Sequence, residues 1–508
     1  MQDTIHNPKH SRPLDVHRWS DHPEVVALVD KIWDGTALDA LISTKGPKPK
    51  LAFRKQLRVL ILDLYVAWLQ DPDLSVGVSM DNNAWKTGSR YNALHISKKI
   101  KDIIHALVEA GLVVLNPGSY SGPGAKTNRT ARIRASRKLQ KQFDEAKFTF
   151  EDISYAEGKE IIVLKDDTGR LIEYEDTPQT LQMRADLRAY NDLIATTFID
   201  LSGLPIPAVP TKRNGKDGSE RIDGPPPITR RIFSRKSLDL HGRFYGGWWQ
   251  RFNSEFRAGI LVDDQPTVEV DFKGLHVAIL YAEHGEEMSG DPYKAPDEVL
   301  PELDRKTVRK LMKRLVLIGL NAKDKSAAYK SFRSEGTIFI EKHIENSELD
   351  ELLEAFLARN PLMRGHMFND EGIRLMNIDG KITARILNHF TQQAVPVLGI
   401  HDSYIIDCRK VGELRQVMAD ASEAVVGRPL ATAVSFPGIE EYTDLTDYEI
   451  AVHIENKLNQ VRRDPYVQRV LDFEERTGRI ISPYDRGLEG YRLGDYAEDL
   501  EGDSDWDT

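Results

Sequence analysis

The chain has 508 residues, of which 40% are hydrophobic and 29% charged, so it is long enough for two or three domains with complete apolar cores. It has no run of eighteen apolar residues and no apolar signal core at its start, so we expect a cytoplasmic protein with no membrane contact. The net charge of −10 argues against nucleic acid as a partner, but much of this excess negative charge lies in residues 489–508, which we expect to be disordered. The single cysteine, Cys408, excludes a disulfide framework and a cysteine-rich zinc site.

Residues 1–147 are predicted to form N-terminal helices and a winged-helix domain. Apolar periodicity and turn residues mark the elements, and Gly111 is suited to a helix C-cap. Helices followed by a two-stranded wing are typical of that fold. The predicted elements are helices over 23–41 and 51–69, a strand over 74–80, a helix over 92–110, and strands over 112–115 and 130–135.

Basic residues outnumber acidic ones around this predicted wing, and such a face would bind phosphates without selecting bases. Two alternatives stay open: the lysines only solvate the surface, or the module docks another protein. The residues that we assign to nucleic-acid contact here are Lys98, Lys99, Arg129, Arg132 and Arg134.

Residues 148–227 are predicted to connect the N-terminal domain to a second one. A hairpin is expected over 148–174 with its turn at 166–169, followed by a helix over 179–197. The stretch 205–227 is dense in proline, glycine and charge, which indicates a linker or mobile loop.

Beyond residue 228, arginine and aromatic residues are interleaved up to residue 249. Guanidinium groups mixed with flat rings suit a template or primer strand, by phosphate pairing and base stacking. For Trp248 and Trp249, a place in the core is an equal alternative.

Residues 267–285 have the pattern of a strand that ends in a carboxylate and runs into a helix. Val268 and Val270 alternate with polar residues, Asp271 stops the apolar run, and apolar residues then recur at helical spacing from Leu275. Such a corner places the carboxylate of Asp271 at the edge of a sheet.

Residues 395–407 repeat this arrangement as two apolar strands joined by a His-Asp-Ser turn, a hairpin with Asp402 at its tip. If both segments belong to one sheet, Asp271 and Asp402 can lie side by side. Two adjacent carboxylates repel each other, so a site that joins them either shares a proton or holds divalent cations.

Residues 305–321, between the two acids, are predicted to form a helix with cations on one face. Acid, basic helix and acid, in that order, suit nucleotidyl transfer, in which Mg²⁺ on the carboxylates activates a 3′ hydroxyl and the basic face neutralises a triphosphate. The face consists of Arg309, Lys313, Leu317 and Asn321.

These three stretches resemble motifs A, B and C of the superfamily that contains family A DNA polymerases (bacterial DNA polymerase I type) and the single-subunit RNA polymerases of phages and mitochondria. Residues 271–276 are similar to motif A, the basic helical face to motif B, and residues 401–403 to motif C in its RNA polymerase form. Residues 241–245 resemble the Gly-Arg-x-Tyr strand found upstream of motif A in the RNA polymerases. The resemblance covers residues 230–440.

The resemblance implies an α+β fold, with a polymerase palm (an antiparallel sheet with helices) and helical fingers over residues 228–440. Because Asp271 and Asp402 are only 131 residues apart (402 − 271), we expect the fingers to be reduced. Residues 441–508 would add C-terminal helices and the acidic tail.

The resemblance also implies the roles of individual residues. Asp271, Asp402 and the carbonyl oxygen of Phe272 would bind two Mg²⁺ ions, with Mn²⁺ as an alternative, and Arg309 and Lys313 would meet the β and γ phosphates. Asn321, Leu317, His276 and Phe272 would contact the incoming nucleotide, with a core position as an equal alternative for His276. Arg243, Tyr245 and His401 would contact the template or primer.

Two departures from the family pattern leave the choice of sugar open. Asn321 and Ala322 occupy the places where Tyr-Gly is usual, and His276 occupies that of the glutamate with which family A DNA polymerases help to exclude ribose.

The sequence therefore predicts a template-directed nucleotidyltransferase, in the first place a DNA polymerase of a phage, plasmid or integrated element. Its partners would be a DNA template and primer, nucleoside triphosphates and replication proteins. One alternative is a single-subunit RNA polymerase or primase. Another, from a different class, is a non-catalytic replication initiator or regulatory DNA-binding protein.

Overall fold

The computed structural model of the chain describes residues 5, 7, 10–42, 47–122, 128–213, 216–436, 439 and 445–482, with the backbone alone at 211–213 and 216–219. The acidic tail predicted at 489–508 lies outside these residues. The described residues combine helices with several sheets, and within them every helix is too short or too polar to span a bilayer.

The elements are numbered here in chain order. The strands are β1 (Ser11–Pro13), β2 (Arg18–Trp19), β3 (Ser75–Val78), β4 (Val113–Asn116), β5 (Ala131–Ala135), β6 (Ser154–Tyr155), β7 (Ile162–Leu164), β8 (Ile199–Leu201), β9 (Ala208–Arg213), β10 (Lys216–Arg221), β11 (Arg230–Ser234), β12 (Ser237–Tyr245), β13 (Ile260–Val262), β14 (Gln265–Phe272), β15 (Leu398–Ile400), β16 (Ser403–Asp407) and β17 (Thr432–Ser435). The α-helices are α1 (Pro23–Asp34), α2 (Pro47–Gln70), α3 (Ile100–Glu109), α4 (Arg137–Asp144), α5 (Pro178–Ala195), α6 (Ser254–Arg257), α7 (Leu275–Glu283), α8 (Arg305–Asn321), α9 (Lys325–Ser334), α10 (Phe339–His343), α11 (Asn346–Arg359), α12 (Gly372–Gln392), α13 (Val411–Val426), α14 (Asp447–Leu458) and α15 (Asp464–Thr477).

The chain divides into two compact units, Met1–Ala195 with Ala208–Trp248, and Thr196–Pro207 with Trp249–Thr508. This division differs from the expected boundary at residue 228. The reason is the pairing of β11, which is parallel to β7 and antiparallel to β12, so residues 228–248 belong with the N-terminal half.

In the first unit, a four-stranded sheet with the order β1-β3-β5-β4 packs against helices. Helix α2 is buried over most of its length, as expected for a helix that is apolar on nearly every side. Its side chains join those of α1, α3 and the sheet in one apolar cluster. The strands predicted at 74–80, 112–115 and 130–135 are thus present as β3, β4 and β5.

The helix predicted over 92–110 begins only at Ile100. The Asn92 side chain holds the preceding loop, because its Oδ1 accepts from the amide of Ile96 and its Nδ2 donates to the Ile96 carbonyl, both at 2.8 Å. His95 has a φ of +54°, which a right-handed helix does not allow.

The predictions for the connecting region hold only in part. The turn at 166–169 exists, and beyond it the two arms are joined by the antiparallel bridge between Lys165 and Leu171 and by a hydrogen bond of 3.0 Å from the amide of Ile172 to the carbonyl of Leu164. Residues 162–164 form β7, whose partner strand is β11, in parallel, rather than the returning arm of the hairpin. The expected linker contains the antiparallel pair β9 and β10.

In the second unit, a six-stranded sheet has the order β15-β16-β14-β13-β8, and β17 also pairs with β14. Helix α13 packs on β14 and β16 and contacts α7 and α12. Helix α15 covers β13 through Tyr466, Val467 and Val470. The sheet thus has helices packed on its strands, and β14 lies between β16 and β17.

Candidate active site

The strand β14 brings Asp271 beside the tip of the β15–β16 hairpin. In the antiparallel register of β14 and β16, Asp271 lies opposite Ser403, the residue that follows Asp402. The amide of Phe272 donates to the carbonyl oxygen of Asp402 at 3.2 Å. Both aspartates are half-buried. The two acidic segments are therefore parts of one sheet, and their carboxylates belong to neighbouring backbone positions.

Sharp turns flank both aspartates. Gly274, the N-cap of α7, has a φ of +56°, which glycine adopts without the steric cost of a Cβ. His401 has a φ of +57° at the tip of the hairpin, where a non-glycine residue is uncommon. Strain of this kind persists where the surrounding structure enforces it, and it is frequent at functional sites.

Arg309 on α8 is not an isolated cation. Its Nε donates to Asp291 Oδ2 at 2.6 Å, and its guanidinium lies over the ring of Tyr293 at 5.9 Å. The N-terminus of helix α8 is capped by Asp304, whose side chain accepts a hydrogen bond from the amide of Thr307 at 2.9 Å. The predicted phosphate-binding arginine is therefore oriented by a carboxylate that also neutralises part of its charge.

The C-terminal end of α8 is held by the loop that precedes α12. The amide of Phe368 donates to the Gly319 carbonyl at 2.9 Å, and the amide of Asp370 donates to that of Ala322 at 3.0 Å. These bonds satisfy carbonyl groups that have no partner within the helix. The exposed Asn321 is fixed as well, because its Nδ2 donates to Leu317 O at 2.7 Å. Lys313 and Leu317 are half-buried on the same face.

Two residues predicted to bind the nucleotide lie inside the unit. His276 is 6% exposed on α7, which favours the core position for this residue. Phe272 is buried, and its ring meets that of Tyr404 edge-on at 6.4 Å, so only its backbone oxygen is a candidate ligand. Trp248 and Trp249 are likewise buried, as the core alternative predicted.

Arg243 and Tyr245, both half-buried, lie on β12 in the first unit. His241 Nδ1 faces the carbonyl of Ile232 at 2.7 Å and therefore carries the proton, so Nε2 accepts from the Tyr245 hydroxyl at 3.1 Å. Burial lowers the pKa of His241, which keeps this tautomer neutral. The His-Gly-Arg-Phe-Tyr segment thus has an internally fixed aromatic pair.

The predicted basic wing is only partly exposed. Arg134 is 7% exposed and donates to the carbonyl of Pro72, so its position does not support contact with nucleic acid. Arg132 is half-buried and donates through Nε to Ser11 Oγ at 2.8 Å. Lys99 lies over the ring of Phe53. Lys98 and Arg129 are exposed.

Sequence reasoning missed two acids in the second unit. Glu269 precedes Asp271 by two residues on β14, and the period of two would have placed both on one face. Asp379 on α12 is 1% exposed, and the Thr383 hydroxyl lies 3.4 Å from its Oδ1 and 2.8 Å from the Tyr404 hydroxyl. Nothing in the sequence distinguishes Asp379 from an acidic residue on the solvent-exposed face of a helix.

Among the described residues, no group of three or more histidine, cysteine or acidic side chains could hold a metal ion. Two adjacent carboxylates do suit Mg²⁺, which binds through one or two carboxylates and completes its octahedron with water and substrate phosphates. The carboxylates of Asp271 and Asp402 are therefore of the kind that Mg²⁺ binds.

No protein-family model and no curated protein matches the chain. Among solved structures, one match is the "POL domain of Pol1 from M. smegmatis complex with DNA primer-template and dNTP". It has 13% sequence identity and a TM-score of 0.27, and it covers 50% of this chain and 50% of that chain. The chain thus spans about half the length of that polymerase domain.

Proposed function

We propose that the chain is a template-directed nucleotidyltransferase that extends a DNA strand from its 3′ hydroxyl. The observation that carries this proposal is the register of β14 and β16, which makes Asp271 and Asp402 neighbours. The same unit contains a helix with Arg309 and Lys313 four residues apart. Anionic donors for cations and a cationic helical face are the two requirements of phosphoryl transfer.

In the proposed reaction the 3′ hydroxyl loses its proton to water, and its oxygen forms a bond to the α phosphorus of a nucleoside triphosphate. The bond from that phosphorus to the oxygen that bridges it to the β phosphorus breaks, with release of pyrophosphate. Magnesium bound at the carboxylates would favour the deprotonated 3′ hydroxyl and offset negative charge on the phosphates. Asp271 on β14 and Asp402 in the turn between β15 and β16 would hold the ion from neighbouring backbone positions.

Lys313 would stabilise charge on the departing pyrophosphate, and Arg309 would orient the triphosphate. Asp291 fixes the direction of Arg309 through the 2.6 Å ion pair, at the expense of part of its charge. Asn321, anchored to Leu317 at the exposed end of the same face, would meet the incoming nucleotide.

The direct test is primer extension by the purified chain on a primed single strand with Mg²⁺, with dNTPs and NTPs offered separately. Asp271→Asn and Asp402→Asn keep the side-chain shape, and each should reduce extension at least about 100-fold. Asp297→Asn, at an exposed aspartate of the same unit, is the matched control and should extend as the wild type does.

Preference for NTPs would favour an RNA polymerase or primase. The His-Asp-Ser form of residues 401–403 supports this alternative. No incorporation of either nucleotide by a protein that still binds DNA would instead favour an initiator or regulatory DNA-binding protein.

We assign DNA recruitment to the N-terminal winged-helix-like region, through the exposed Lys98 and Arg129. Each phosphate contact contributes about 1 to the slope of log affinity against log salt concentration. The double variant Lys98→Ser with Arg129→Ser should lower that slope by about 2. Arg134→Ser is the comparison, since the buried Arg134 should change stability and leave the salt slope as it is.

A further inference from the structure

A third carboxylate shares the face of Asp271. Glu269 and Asp271 are two residues apart on β14, so both point to the same side of the sheet, about 7 Å apart along the strand. Like charges at such a distance would repel each other and would also attract any cation held nearby. Glu269 is half-buried, which weakens the screening of its charge by water.

Arg257 at the end of α6 pairs with this carboxylate in a two-pronged geometry. Its Nε donates to Glu269 Oε2 and its Nη2 to Oε1, each at 2.9 Å. The remaining nitrogen, Nη1, donates to the carbonyl of Phe252 at 2.7 Å. The guanidinium is thus oriented from both sides, and the charge of Glu269 is compensated at a fixed position.

Glu269 in turn accepts a short hydrogen bond from motif C. The Ser403 hydroxyl donates to Glu269 Oε1 at 2.6 Å, a length typical of a hydroxyl bound to a charged carboxylate. The carbonyl of Ile400, at 3.4 Å, is the weaker acceptor for the same hydroxyl. Ser403 is 5% exposed, follows Asp402 directly and lies opposite Asp271. The hydroxyl therefore ties the base of the Asp402 turn to β14.

We propose that Arg257 and Glu269 are positioning residues of the cation site: Glu269 fixes the Asp402 turn through Ser403, and Arg257 keeps the charge of Glu269 from adding to that of the two aspartates. This inference rests on the proposed function. In this proposal Arg257, which lies outside the three motifs, controls how strongly the site attracts divalent cations.

Measuring cation affinity distinguishes the positioning role from a merely structural one. Arg257 and Glu269 carry opposite charges, so removing one or the other should change the affinity in opposite directions. Mn²⁺ binding to the full chain, followed by electron paramagnetic resonance, reports affinity without catalysis. Arg257→Leu leaves Glu269 uncompensated and should tighten Mn²⁺ binding about tenfold, whereas Glu269→Gln leaves Arg257 uncompensated and should weaken it by a similar factor. The double variant should return close to the wild-type affinity.

Ser403→Ala keeps the charges and removes the tether, so it should leave Mn²⁺ affinity nearly unchanged and lower the rate of primer extension at saturating nucleotide. Arg257→Gln also removes the charge and should tighten Mn²⁺ binding in the same way, so it replaces Arg257→Leu if that variant fails to fold. Arg257→Lys keeps the charge and should leave the affinity nearly unchanged. Shifts of the same sign in the arginine and glutamate variants, or no shift in either, would overturn the proposal.

Failure of the proposed function gives a different result. Asp271→Asn should abolish Mn²⁺ binding if the cation lies between the two aspartates. A wild-type protein that binds no Mn²⁺, or binds it independently of Asp271, refutes the cation site itself. A wild-type site that depends on Asp271 but ignores Arg257 and Glu269 refutes only the positioning role.

Discussion

Gly372, the first residue of α12, has no side chain, and the Asn321 side chain occupies the space beside it. A Cβ at this position would lie 2.1 Å from Asn321 Oδ1, 2.4 Å from Cγ and 2.6 Å from Nδ2. Gly372→Ala must therefore displace the amide, which can rotate because Asn321 is exposed. The displacement breaks the 2.7 Å hydrogen bond from Asn321 to Leu317 O.

The effect on folding should be small and the effect on the nucleotide larger. Loss of the hydrogen bond costs about 1 kcal/mol, and the better helix propensity of alanine returns up to about 1 kcal/mol. The free energy of unfolding should thus stay within about 1 kcal/mol of the wild-type value. If Asn321 contacts the incoming nucleotide, loss of about 1 kcal/mol of binding raises KM about fivefold.

Steady-state primer extension and urea unfolding test both expectations. Asn321→Ala should raise KM by the same factor, and the double variant with Gly372→Ala should be no worse than either single change. Gly365→Ala is the control, because a Cβ there meets nothing within 4 Å. A wild-type KM for Gly372→Ala beside a raised KM for Asn321→Ala would refute the proposed link, as would destabilisation by more than about 3 kcal/mol.

Three further substitutions probe other features. Gly246→Ala would put a Cβ 2.1 Å from a backbone carbonyl oxygen at a residue with a φ of +148°, so urea unfolding should show a loss of at least about 3 kcal/mol. Asp291→Asn removes the carboxylate that orients Arg309, and the KM for the nucleotide should rise about fivefold while DNA affinity stays unchanged. Burial raises the pKa of Glu341, but backbone amides and Arg314 outweigh it and lower that pKa from 4.5 to about 2. The resulting stabilisation, up to about 3 kcal/mol, is present above pH 4.5 and is lost as the pH falls toward 2. Glu341→Gln should thus unfold more easily at pH 7 and approach the wild type in acid.

The sequence predicted best those parts of the fold in which a local pattern determines the structure. The period of two in residues 267–272 was correct, because Glu269 and Asp271 are half-buried whereas the apolar residues beside them are buried. The hairpin over 395–407 was also correct, because polar turn residues separate two apolar runs. Local patterns do not require the two segments to pair, and the register of Asp271 with Ser403 shows that they do. The role of the aspartates stays a prediction.

Contacts between distant residues account for most of what the sequence did not predict. The helical pattern of residues 92–110 is overridden in its first half by the bonds of the Asn92 side chain. The pairing of β11 with β7 joins segments separated by more than sixty residues, which no local pattern specifies. Arg257 and Glu269 are twelve residues apart and meet only because the chain turns between α6 and β14.

The placement of the two aspartates has a physical logic that bears on the proposed chemistry. A left-handed backbone at His401 costs about 1 kcal/mol or more, and a protein retains such strain where neighbouring bonds enforce it. Here the Ile400–Ser403 pair closes the hairpin, and the Ser403 hydroxyl holds it against Glu269. Asp402 therefore projects from a turn that the sheet has already fixed. Preorganised charge of this kind needs little rearrangement when substrate arrives, and electrostatic catalysis of phosphoryl transfer depends on that property.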